Sequence, residues 1–386
     1  MMFEKRRCAL RPLAISVALL GTTIIVPLLR AQAPVIVSVG RDGDLVVSNI
    51  VPGTAASVEW APTVTGPWTN SWAGLAAVTA DAHGMLSVRL PMFYRIRGHA
   101  TPAGMNLVPA GVFTMGDVSD GDGYALPLHE VQISAFYMDR CEVTKALWDE
   151  VYQWAITNGY GFSYDALGKG TNHPAHSVTW YDAVKWCNAR SEREGRIPAY
   201  YTDSAQTIVY RTNVWDIQNN RVKWTQGYRL PTEAEWEKAA RGGTPGHRFA
   251  WTNMETISHG QANYYAAVNF PFDLSYPIGY HPDYAIGGEP YTSPVASFAP
   301  NGYGFYDMTG NISEWCWDYD GGYATGPQTD PHGPLSGGVP YSYRMKRGGA
   351  WTSFAVYCPV AFRDFDLPNQ RRHSTGFRCV LPVPSP

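Results

Sequence analysis

The side chains in this chain with the widest chemical range are its thiols, at Cys8, Cys141, Cys187, Cys316, Cys358 and Cys379. In an oxidising compartment the last five are candidates for disulfides, and their odd number leaves at least one free or paired outside the chain. The ten histidines are scattered. Only His173-Pro174-Ala175-His176 approaches ligand spacing. It sits in a proline-containing stretch with no third carboxylate beside it, so a solvated loop is expected there rather than a transition-metal centre. The chain has no G-x-S-x-G elbow, phosphate-binding loop or H-E-x-x-H helix. Aromatic residues gather at Tyr264-Tyr265, Tyr341 to Tyr343 and Trp351, where they are expected to pack the core and rim of a groove that could take a peptide or a sugar.

The elements that must position these groups follow from pattern and composition. With 386 residues, the chain has room for two domains. It is 45% hydrophobic, only 16% charged, and rich in turn formers, with 38 Gly and 29 Pro, which predicts a loop-rich fold with few helices. A net charge of −3 with no long run of like charges gives no electrostatic footprint for nucleic acid. Residues 1–33 read as a signal peptide or membrane anchor: Lys5, Arg6 and Arg7 precede an apolar run to Leu29, and Ala31-Gln32-Ala33 closes it. Either reading places the protein as secreted, periplasmic or at the cell surface, with membrane contact only if the segment stays uncleaved. Residues 34–98 alternate short β-type runs with turns, including Asp42-Gly43 between two strands, and predict a small β-sandwich. Residues 99–104 form a linker. Beyond it, apolar spacing predicts helices from Thr144 to Trp154 and from Trp180 to Ser191. Thr232 with Glu235 opens a third helix through a capping box, just after Pro231.

From 105 to 383 a series of short strings occurs in a fixed order: Leu107-Val108-Pro109-Ala110-Gly111, Glu142-Val143-Thr144, Val178-Thr179-Trp180-Tyr181-Asp182-Ala183, Arg229-Leu230-Pro231-Thr232-Glu233-Ala234-Glu235-Trp236-Glu237, Asn301-Gly302-Tyr303-Gly304, Gly310-Asn311, Glu314-Trp315, Arg347-Gly348-Gly349 and Gly376-Phe377-Arg378-Cys379. On these strings the region resembles the formylglycine-generating enzyme (sulfatase-modifying factor) family. The resemblance implies an α+β, loop-rich fold of C-type-lectin type, here preceded by the β-sandwich.

The resemblance also implies sites. Oxidases of the family hold Cu(I) between two cysteines after the Gly-Gly motif, a soft-ligand pair suited to that ion. Here those positions fall on Ser353 and Cys358, and Ala350 stands where the oxidases keep a serine; Tyr357 matches. A serine hydroxyl is a hard, protonated ligand, so copper is not expected. The family's structural calcium maps onto Asp307, Gly310, Ile312 and Glu314, two carboxylates and two carbonyls that suit a hard cation. A second family calcium site maps its asparagine and carbonyl onto Asn263 and Tyr264, with Gly287 where its acid would be and Glu289 as the nearest substitute. Cys187 and Cys379 match a bonded pair. Cys316 and Cys358 form a possible second bridge, and Cys141 is left as a free thiol. Another family pair is lost at both ends, at Ala240 and Arg363.

The sequence therefore predicts an exported, calcium-stabilised family member without copper oxidase activity. It would act as a binding or scaffold module for a protein, peptide or glycan. The alternative is a formylglycine-generating oxidase acting on a sulfatase cysteine.

Overall fold

A computed structural model describes residues 35–39, 44–50, 52, 55–60, 78–79, 81–89, 94–98, 101–118, 123–338 and 342–383. The expected leader at 1–33 lies outside the described residues, as do Asp42-Gly43 and Tyr341.

The N-terminal part contributes six strands: β1 (Val35–Val39), β2 (Asp44–Ser48), β3 (Ala55–Trp60), β4 (Val78–Thr79), β5 (Leu86–Arg89) and β6 (Tyr94–Gly98). They form two antiparallel sheets, ordered β1-β2-β5 and β4-β3-β6. The antiparallel pairing of β1 with β2 is what the turn residues between them lead one to expect.

The larger part opens with β7 (Met105–Val108), β8 (Gly111–Met115), β9 (His129–Ile133) and β10 (Phe136–Asp139), followed by helices α1 (Lys145–Thr157), α2 (Trp180–Arg193) and α3 (Glu233–Ala240). The strands β11 (Ser313–Tyr319), β12 (Gln328–Thr329), β13 (Arg344–Arg347), β14 (Asp364–Asp366), β15 (Thr375–Gly376) and β16 (Val380–Pro382) complete it. Its three sheets run β16-β10-β7, β14-β13-β11-β15 and β12-β9-β8. Strand β10 joins the domain's first strand to its last, pairing with β7 on one side and β16 on the other.

All three helices start where the sequence places them, each on a threonine cap. The Thr144 hydroxyl accepts from Leu147 N at 3.1 Å and that of Thr179 from Asp182 N at 3.0 Å. At α3 the box is reciprocal: Glu235 N donates to Thr232 Oγ1 at 3.2 Å, and Thr232 N donates to Glu235 Oε2 at 2.8 Å. Helices α1 and α2 bury their apolar faces together. Trp148 stacks on Trp186 at 5.8 Å with an interplanar angle of 7°, and Phe377 meets both rings edge-on. By the ordinary cost of emptying a core site, cutting either tryptophan to alanine removes roughly 3–5 kcal/mol. Helix α3 packs on the other core cluster, with Trp236, Met308, Cys316 and Met345.

Beneath α3 runs a buried ion network. Arg363 forks onto Glu233 at 2.6 and 2.7 Å, and Arg347 bridges Glu233 and Glu237. Arg363 is one of the two positions, with Ala240, where the resemblance would lead one to expect a cysteine pair. An ion pair to the first residue of α3 now ties that segment down.

Candidate functional site

The loop between Asp307 and Ile312 is wound tightly. Asp307, Gly310 and Asn311 have φ of 56°, 82° and 62°, in the left-handed region that most side chains avoid. Gly310 admits no substitute, since a Cβ there would lie 2.4 Å from the Asn263 carbonyl oxygen. The winding brings Asp307 into the interior. Its Oδ2 accepts from Ala296 N at 2.7 Å, while its Oδ1 is buried without a partner.

Glu142 lies close by, 2% exposed, with both carboxylate oxygens buried and unpartnered. Burial, and next the neighbouring Asp307 carboxylate, push Glu142 well above the usual carboxylate range; burial raises Asp307 too. Two buried carboxyls side by side share a proton when no ion is present, and their free oxygens fit a hard cation, whose charge would hold both groups ionised. Glu314 is engaged elsewhere: its two oxygens each accept from Arg378 at 2.7 Å, and Trp236 Nε1 donates at 2.8 Å. The acids with free capacity are therefore Asp307 and Glu142. Glu142 was not singled out as a ligand from the sequence. The signal available was a lone carboxylate ahead of a helix cap, inside one of the ordered strings.

At the second expected calcium position, Asn263 Nδ2 donates to Tyr291 O, its Oδ1 is buried and unpartnered, and the Tyr264 carbonyl is taken by His259 Nε2. Glu289 faces His373 at 3.8 Å, on the surface. Among the described residues no group of three or more His, Cys, Asp and Glu is arranged to hold a metal. His176 corrects the expectation of a solvated loop: it is 2% exposed, its Nδ1 lies 3.1 Å from Ser177 Oγ, and burial pushes it down to about 4. Chain 143–145 pairs with 173–175, and His176 with Leu167, which draws the stretch inward.

The positions onto which the resemblance maps the family's copper ligands, Ser353 and Cys358, lie on the turn after Gly348-Gly349. Ser353 Oγ accepts from Ala350 N at 3.0 Å. Cys358 closes a short 3-10 turn (Ala355–Tyr357), is fully buried, and donates its thiol to Phe354 O at 3.5 Å. Burial raises this thiol far above its ordinary value, so it stays protonated. Gly349, with φ of 70°, packs directly on it: a Cβ there would fall 2.7 Å from the sulfur. Trp351 and Tyr264 are core residues, as expected for part of the aromatic set, and Tyr265 stands at the rim against Tyr280 and Phe354.

The five described cysteines are free thiols here. Cys187 and Cys379 face each other with sulfurs 3.5 Å apart. Cys316 and Cys358 belong to different core clusters, and each thiol is turned to a nearby carbonyl. Cys141 is partly buried, and burial with the adjacent Glu142 pushes it up to about 12.

Beside the 307–311 loop, the segment 265–280 closes on itself through a bridge from Ala266 to Gly279 and meets the turn at 350–358 through a bridge from Tyr265 to Phe354. It exposes Val268, Leu274, Tyr276 and Ile278, with Tyr276 95% open and Phe354 and Tyr357 exposed alongside. No helix among the described residues is long and apolar enough to cross a membrane.

A family profile described as "Sulfatase-modifying factor enzyme 1-like domain" matches residues 95–383. The formylglycine-generating enzyme of Streptomyces coelicolor is 33% identical over 299 residues, covering 71% of this chain and 87% of its own. A protein named chaperone protein LppX, from Paenibacillus barcinonensis, is 33% identical over 265 residues, covering 66% and 81% respectively. Among solved structures, Treponema denticola variable protein 1 superposes with a TM-score of 0.54 at 27% identity, covering 76% of this chain and 97% of that one.

Proposed function

The chain belongs to the family of sulfatase-modifying factor enzyme 1-like domains, and from that premise we propose that it is an exported, calcium-stabilised member that binds polypeptide and does not oxidise it. The observation that carries this reading is the state of the catalytic turn. One copper position is Ser353, committed to a backbone N–H, and the other is Cys358, sealed under Gly349 as a protonated thiol. Two sulfurs are needed to hold Cu(I) in a two-sulfur geometry, and with serine at 353 this turn offers one at most. What remains on this face is apolar: the exposed side chains of 268–278 with Phe354 and Tyr357. Exposed apolar side chains gathered on one segment and the turn it meets suit an unfolded or extended segment of another protein, in keeping with the relative named as a chaperone. Calcium, held by Asp307, Glu142 and the loop carbonyls, would brace the 307–311 loop behind it.

The rival reading is a formylglycine-generating oxidase, favoured by the identity to the Streptomyces enzyme. Incubating the protein with a cysteine-bearing sulfatase peptide, copper, oxygen and reductant separates the two by mass spectrometry. The peptide is expected to keep its thiol. Conversion of that thiol to an aldehyde overturns the reading in favour of the oxidase.

A further inference from the structure

Against α3 and β11 a cavity of about 340 Å³ is lined by both buried charges and apolar groups. Its floor is Asp318, 4% exposed, whose Oδ2 accepts from Glu233 N, the first residue of α3, at 2.8 Å. Its Oδ1 makes no hydrogen bond among the described residues. The neighbouring Glu233 is saturated by Arg363 and Arg347, so neither arginine is left for Asp318. Gly333 forms part of the wall at a φ of 69°, and a Cβ there would stand 2.7 Å from Asp318 Oδ1. The space in front of that oxygen thus depends on the absence of a side chain. Tyr323 lines the same cavity with its hydroxyl buried and unpartnered, its ring 4.9 Å from that of His129. Met115, Ala234 and Pro334 supply the apolar wall.

An unmet carboxylate oxygen in a cavity where Met115, Tyr323 and Pro334 supply apolar contact, and where the neighbouring Arg363 is already paired with Glu233, is a built acceptor for a cation small enough to shed its water there. We propose that this cavity is a binding site for a small organic ammonium, its N–H groups on Asp318 Oδ1 and its alkyl body against Met115, Tyr323 and Pro334. Calcium is a poorer occupant, because Asp318 offers a single free oxygen and the Glu233 carboxylate beside it is already held by Arg363 and Arg347. The inference does not rest on the reading of the catalytic turn, and each can fail alone. Burial and the adjacent Glu233 raise Asp318 to about 7, with Arg363 opposing and Glu235 adding to the rise, so the test belongs at a pH where the carboxylate is ionised.

The test is titration calorimetry at pH 8 on the full chain with n-butylammonium, with n-butanol and butyrate as matched probes. Saturable 1:1 binding of the ammonium alone is expected, weakened at least tenfold in Asp318→Asn, which retains the acceptor for Glu233 N. Equal affinity in the variant, equal affinity for butanol, or no saturable binding in the wild type overturns the proposal. Should the variant unfold, nuclear Overhauser contacts between the butyl protons and the Met115 methyl in the wild type decide: their presence supports the site and their absence removes it.

Discussion

At position 358 the chain retains a sulfur in a setting that suppresses its reactivity. The thiol is fully buried, packed under the Gly349 backbone, and donates to a carbonyl. Thiolate, not thiol, is the reactive form. Cys358 should therefore resist iodoacetamide in the native protein and react only after denaturation, as read by peptide mapping. Alkylation of Cys358 in the native state, as fast as in urea, contradicts the burial described here. Asp318 carries a different residue-scale prediction. Its folded value is raised to about 7, against about 3.9 for a free aspartate. Between these values the folded state holds a proton that the unfolded state has lost. Its contribution to stability is therefore fully present below about pH 4 and lost as pH rises through 7. Asp318→Asn should remove that loss, making the variant more stable than wild type at pH 8 by roughly 1–3 kcal/mol, with the gap closing toward pH 4. Parallel denaturation curves at the two pH values check it. A gap that widens on acidification has the wrong sign.

Among the elements, α3 shows how a short helix is fixed by its first turn. Thr232→Ala removes the cap that receives Glu235 N, and it should cost about 1–2 kcal/mol in chemical denaturation. A neutral result would mean that the bidentate Arg229–Glu235 pair, at 2.6 and 2.7 Å, holds the turn alone. This helix was legible in the sequence because its signal is local: Pro231, Thr232 and Glu235 lie within one turn. Helices α1 and α2 were legible through the spacing of their apolar residues, while their caps at Thr144 and Thr179 are a finding of the structure. The metal loop was readable only in part. Asp307 and Gly310 lie three residues apart, next to the Gly310-Asn311 string, but Glu142 joins them from far along the chain, and nothing near Glu142 marks it as facing Asp307. His176 misled because a proline beside a histidine suggests a surface loop. The burial of that stretch depends on backbone pairing with residues 143 and 167, which periodicity does not reveal. The cavity over Asp318 was invisible for the same reason, since it takes α3, β11 and the Gly333 loop to make it.

For the molecule as a whole, two long-range ties are expected to set stability. If a cation binds only the folded 307–311 loop, its removal destabilises by mass action, about 2.7 kcal/mol at a hundredfold excess over Kd. Chelation should lower Tm in the wild type, and Asp307→Asn or Glu142→Gln should abolish the difference. An unchanged Tm on chelation would show that the two carboxylates do without an ion. The other tie is Cys187 with Cys379, whose sulfurs already stand 3.5 Å apart across a separation of 192 residues. Oxidised, the bond would restrict the unfolded chain by about 5 kcal/mol in the chain-entropy picture. Non-reducing peptide mapping of protein from an oxidising compartment should recover the two cysteines in one joined peptide; two separately alkylated peptides would exclude the bond.

The central claim is that this chain keeps the family's fold while its catalytic turn no longer forms a copper site. X-ray absorption at the copper edge, on purified reduced protein loaded with Cu(I), tests it most directly. The account predicts no stoichiometric copper bound through two sulfurs. One Cu(I) per chain with two sulfur neighbours, lost in Cys358→Ala, would contradict it.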